Sequence, residues 1–137
     1  MGLILDSSAV IVAERRGDTV ESFIEQVVTS SGDQDAALSS VGLTELIHGI
    51  YRAESHRMRV RREAFIGELL RDLTVYPYTK ETGMLAGKID GEQQAHGLTV
   101  PFGDLLIGAT ALSLGFSILT VNSRHFRMIP NLQVIQL

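Results

Sequence analysis

The chain has 137 residues, of which 45% are hydrophobic and 20% charged, with a net charge of −4 at neutral pH. These values suit one globular domain over residues 1–137 and argue against disorder. The absence of cysteine excludes disulfides, zinc–thiolate sites and a cysteine nucleophile, and fits a cytoplasmic location. The overall charge offers no attraction to nucleic acid, so any such binding needs a local basic patch.

Gly2 to Leu5 is short and continuously apolar, as expected of a strand buried on both faces. MGLILDSSAVIVAE lacks a basic flank and is interrupted by Asp6, so it reads as a strand entering a helix, not a signal peptide. Ser7 to Glu14 predicts a short helix that stops near Gly17. Asp18 then opens a second helix, with Asp18 and Glu21 as a capping pair, Val20, Phe23, Ile24, Val27 and Val28 on one face, and Gly32 as the stop. Ala36 to Val41 predicts a second strand, followed by helices from Thr44 to Glu54 and from Arg57 to Arg71. Leu73 to Tyr78 predicts a third strand at a sheet edge, because Pro77 cannot donate to a ladder. Thr79 caps a helix ending near Gly97, and Gly103 and Asp104 open an apolar helix that ends at Gly115. Phe116 to Val121 and Leu132 to Leu137 complete the set of five strands. No apolar run approaches the roughly 20 residues that cross a bilayer.

Strands alternating with helices, without hairpin signals, imply an α/β domain with a mostly parallel five-stranded sheet between two helical layers. In such sheets ligands bind beyond the carboxyl ends of the strands, where the strand order reverses. Asp6, Glu45 and Asn122 follow predicted strands. Asp104 opens a helix running back against the sheet, so it reaches the same rim. Acids at helix starts also cap free N–H groups, which is an alternative for each one taken singly. Three together, with Asn122, form an oxygen-rich set suited to Mg²⁺ or Mn²⁺.

The residues that carry this pattern resemble the PIN-domain ribonucleases, and within them the VapC-type toxins of toxin–antitoxin pairs. The matching pieces are LILDSSAVI, LSSVGLTELIHGI, VPFGDLLIGATALSLG and ILTVNSRHF. The resemblance implies a three-layer α/β/α PIN-like fold and Mg²⁺- or Mn²⁺-dependent hydrolysis of RNA, with tRNA or rRNA as candidate substrates and 5′-phosphate and 3′-hydroxyl products. It also implies metal binding by Asp6 and Asp104, with Glu45 binding metal or orienting the attacking water. Asn122 stands where many members carry Asp, so a second metal is expected to bind more weakly. A VapB-type antitoxin and a homodimer are the implied partners, and the apolar face from Val20 to Val28 is one candidate interface.

Ser7 and Thr120 flank the site and can hold a carboxylate or a phosphate, or serve as turn hydroxyls. Arg124 is the preferred phosphate contact. Arg52, Arg57, Arg59, Arg61 and Arg62 form a basic stretch that suits RNA or simply a solvated helix face. His48, His56, His96 and His125 show no zinc spacing and read as surface or helix-end residues. Two other readings share the fold: a catalytically idle PIN module that binds RNA or a protein partner, and a phosphoacceptor receiver domain. The second wants paired acids where Asp6 is followed by Ser7 and Ser8.

Overall fold

The computed structural model describes residues 2–137. Five strands, β1 (Gly2–Leu5), β2 (Asp35–Ser39), β3 (Thr74–Tyr76), β4 (Ser117–Thr120) and β5 (Val134–Gln136), pair in parallel in the order β3-β2-β1-β4-β5. The seven helices are α1 (Ser7–Arg15), α2 (Val20–Ser31), α3 (Ser40–Tyr51), α4 (His56–Asp72), α5 (Lys80–Ala95), α6 (Phe102–Leu114) and the single turn α7 (Ser123–Phe126).

Alternation along the central strand builds the two cores. Leu3 and Leu5 pack with Ala9, Phe23, Leu46, Ile66 and Leu69 of α1 to α4. Ile4 faces the other way, among Ala86, Ile89, Ile107, Ile118 and Phe126 under α5 to α7. A sheet buried on both faces accounts for the unbroken apolar strands. A Cβ on Gly108 would overlap the Ile129 side chain, so this glycine lets α6 pack closely. Gly115 ends α6 in the left-handed conformation at φ 70°.

The predicted architecture is present, but some boundaries differ. β2 ends at Ser39, and α3 begins at Ser40 rather than Thr44, because Ser39 Oγ accepts the Gly42 N–H at 2.9 Å and caps the helix there. Asp18 and Glu21 do not cap α2. Thr19 accepts the Ser22 N–H instead, and Asp18 is drawn away to Arg16 and Gln26. Their donated hydrogen bonds hold its carboxyl below the usual range. β3 lies at the sheet edge as expected, but it ends at Tyr76, so Pro77 falls outside the strand that the sequence extends to Tyr78, and the sequence reading lacks α7. Val20, Phe23 and Val27 are buried in the core, so most of that face of α2 is internal, whereas Val28 at its edge stays 42% exposed.

Candidate functional site

The strand order reverses beside β1, since β2 and β3 lie on one side of it and β4 and β5 on the other. Asp6 follows β1 at this point. Its backbone N–H donates to Leu119 of β4, which fixes the residue in the crevice between the two strands. Its side chain is 4% exposed and makes no helix cap. Ser8 Oγ and Thr120 Oγ1 instead donate to Oδ2 at 2.5 and 2.8 Å.

Glu45 lies in the second turn of α3, beyond the reach of a cap, because that helix starts at Ser40. Ser7 Oγ donates to Glu45 Oε1 at 2.7 Å. Oε2 faces the start of α6, where a Cβ on Gly103 would lie only 3.0 Å away. A residue without a side chain at 103 thus leaves room for the carboxylate. Asp104 sits in the first turn of α6, where the helix dipole favours negative charge. His125 Nδ1 lies 2.9 Å from its Oδ2, and because a carboxylate only accepts, Nδ1 carries the proton.

The electrostatics tie the three acids together. Burial raises the pKa of Asp6 above its ordinary value, and the charge on Asp104 adds to the rise against the opposing hydroxyl donors. Burial also raises Glu45, aided by the charges on Asp6 and Asp104. Each acid has one oxygen held by a hydroxyl or imidazole, while among the described residues no side chain holds the other. Hard, partly dehydrated oxygens under mutual repulsion are a donor set that suits a divalent cation. Among the described residues, no group of three His, Asp or Glu side chains is already drawn into a ligand cage.

Thr120 is a second organising residue. Fully buried at the end of β4, it donates to Asp6, accepts the Asn122 N–H at 2.9 Å and meets Ser8 Oγ at 3.1 Å. Asn122 stands exposed at the start of α7 and does not cap it. Arg124 is exposed on α7 with no ion pair among the described residues. Sequence reasoning missed Ser8 and His125. The Ser-Ser pair after Asp6 was visible, but nothing local signals that His125 and Asp104 meet across 21 residues.

Two members of the basic stretch are committed within the chain. Glu14, 5% exposed on α1, receives Arg61 Nε at 3.2 Å and lies 3.6 Å from Arg62 Nε. Arg62 also donates to the Gly49 carbonyl at 2.8 Å, joining α1, α3 and α4. Arg59 lies over the Tyr51 ring at 5.3 Å.

The PIN domain family model matches residues 3–131, nearly the full chain. The chain is a member of the PIN-domain family. It is 33% identical over 135 residues to Ribonuclease VapC of Rickettsia bellii (strain RML369-C), covering 98% of this chain and 96% of that one. Ribonuclease VapC10 of Mycobacterium tuberculosis (strain ATCC 25618 / H37Rv) is 32% identical over 131 residues, covering 96% and 91%. The PIN fold is shared with the structure of VapBC2 from Rickettsia felis bound to a promoter DNA fragment, at TM-score 0.86 and 21% identity over 100% of this chain and 99% of that one. DNA-bound VapBC from Salmonella typhimurium superposes at TM-score 0.81 and 24% identity, covering 98% and 96%. The PIN domain has no helix among its described residues long and apolar enough to cross a membrane.

Proposed function

We propose that the chain is an endoribonuclease of the VapC kind, the toxin of a type II toxin–antitoxin pair, working as one domain in the cytosol. Asp6, Glu45 and Asp104 are its catalytic carboxylates, with Asn122 at the rim of the site. One observation carries this reading: three acids from separate parts of the sequence converge at the strand-order reversal, and neither Asp6 nor Glu45 is spent on capping a helix. The names of relatives about one-third identical over nearly the whole chain support the activity.

The donor chemistry suits Mg²⁺ or Mn²⁺, which Asp6 and Asp104 would hold, with Glu45 and Asn122 as further oxygen donors. When bound, such an ion supplies neutralisation of phosphoryl charge and a lowered pKa for water. Glu45, anchored by Ser7, orients the attacking water and takes its proton. The water oxygen bonds to phosphorus as the P–O3′ bond breaks, and the departing 3′-oxyanion takes a proton from solvent, leaving a 5′-phosphate and a 3′-hydroxyl. Ser8 and Thr120 hold Asp6, and His125 holds Asp104, so both carboxylates keep fixed rotamers.

The proposed partner is a small VapB-type antitoxin covering the acidic rim, in line with the complexes formed by the structural neighbours. Exposed apolar side chains available to it, or to a second copy of the chain, include Tyr51 and Val60 on one side and Met84 and Phe102 on the other.

End-group analysis of RNA treated with the purified protein tests the chemistry. Fragments carrying 5′-phosphates, made with Mn²⁺ or Mg²⁺ and absent with chelator, are expected. Fragments with 2′,3′-cyclic phosphates, or equal cutting in chelator, would overturn the mechanism.

A further inference from the structure

A polyanion approaching three carboxylates needs cations beside them, and the chain as a whole carries net negative charge. Besides Arg124 on α7, the structure supplies such cations in a groove beside the acids. This groove of about 680 Å³ has Ser7 and Glu45 in its lining, so it opens from the acidic rim. Its walls also carry Arg15 from α1, Arg52 beyond α3, and Arg61 and Arg62 from α4. Glu54 is the only acid besides Glu45 among its lining residues.

Two of these arginines are held in place by the protein. Glu14 fixes Arg61 and Arg62 from beneath, and the terminal nitrogens of Arg61 have no protein partner among the described residues. Arg15 and Arg52 are exposed and form no ion pair among the described residues. Arg57 and Arg59 lie outside the groove lining, although they belong to the same basic run. The fold therefore brings Arg52 and Arg61 from that run to the groove surface, with Arg62 tied down beneath them, and adds Arg15 from a distant part of the chain.

We propose that this groove is the track for the RNA strand on one side of the scissile phosphate, with Arg15 and Arg52 gripping successive backbone phosphates and Arg61 extending the line. The inference rests on the nuclease reading for the identity of the strand, but not for the binding itself. Positive grooves that follow a backbone are a general means of holding single strands, and each phosphate contact leaves a salt dependence.

The test is fluorescence anisotropy of a short, labelled single-stranded oligoribonucleotide, in chelator so that nothing is cut. The parent is compared with the Arg15→Gln/Arg52→Gln double variant and with Arg71→Gln/Lys88→Gln, which removes equal charge outside the groove. Both substituted groove residues are exposed, so unchanged melting is expected and is checked. The groove variant should lose roughly tenfold or more in affinity, and its log–log salt slope should shrink by about 1.4, the value for two single-strand phosphate contacts. The control pair should match the parent. Equal binding by groove variant and parent overturns the proposal, as does an equal loss in the control pair or no binding by the parent.

Cleavage with Mn²⁺ separates this from the nuclease reading. If the parent cuts RNA and the groove variant keeps its KM, the track is wrong and the nuclease stands. If the groove dependence holds but no metal supports cutting, the track stands and the nuclease reading falls.

Discussion

His125 Nδ1 and Asp104 Oδ2 lie 2.9 Å apart, joining the single-turn helix α7 to the first turn of α6. The imidazole fixes which way the carboxylate turns, so His125 is a positioning residue. Removing such a partner typically lowers metal affinity by about 10–100-fold. His125→Ala should weaken Mn²⁺ binding by that factor in calorimetry, whereas His125→Asn, which keeps an N–H near the same place, should recover most of it. Equal Mn²⁺ affinity in parent and His125→Ala would show that Asp104 is held by something else.

The buried acids give the metal-free protein a distinctive pH dependence. Asp6 and Glu45 have pKa values above their ordinary 3.8 and 4.5 because burial disfavours their charged forms. The native state therefore holds more protons than the unfolded state between the ordinary and raised values. Their contribution is fully favourable below the ordinary values and is lost as pH rises through the raised ones. In chelator, Asp6→Asn should melt higher than the parent at neutral pH, and the gap should close toward pH 4. A gap that widens on acidification would contradict the sign of the Asp6 shift.

Glu14 supports the site from behind by tying α1, which follows Asp6, to α4. Leaving a buried charge pair with one partner costs about 3–5 kcal/mol. Arg61 is half exposed and Arg62 mostly covered, so the expected cost of Glu14→Ala lies between the surface and buried classes, about 2 kcal/mol. Urea denaturation checks this, and a loss below about 1 kcal/mol would assign the pair to the ordinary surface class.

The sheet and most helices were legible because unbroken apolar strands and helical spacing report burial directly. The β2–α3 boundary was misplaced because Ala36 to Leu38 and Val41 look continuous, while the decisive event is a single hydrogen bond from the Gly42 N–H to Ser39 Oγ. That shift matters, since it moves Glu45 from a helix start to the second turn, where a capping role is excluded. The acids themselves stood out through interrupted apolar runs. Their supports did not, because the contacts of His125 with Asp104 and Glu14 with Arg61 depend on tertiary packing over 21 and 47 residues. Likewise the basic stretch could be seen, but not that the fold divides it between Glu14, Tyr51 and the groove.

The most direct measurement is the rate of total RNA cleavage with Mn²⁺ by the parent and by Asp6→Asn, Glu45→Gln and Asp104→Asn, each removing a charge while nearly preserving shape. If these carboxylates form one hydrolytic centre, each variant stays folded and loses roughly 100-fold or more in rate. A folded Asp6→Asn or Asp104→Asn protein that cuts RNA at the parental rate would contradict the assignment of the active centre to this rim.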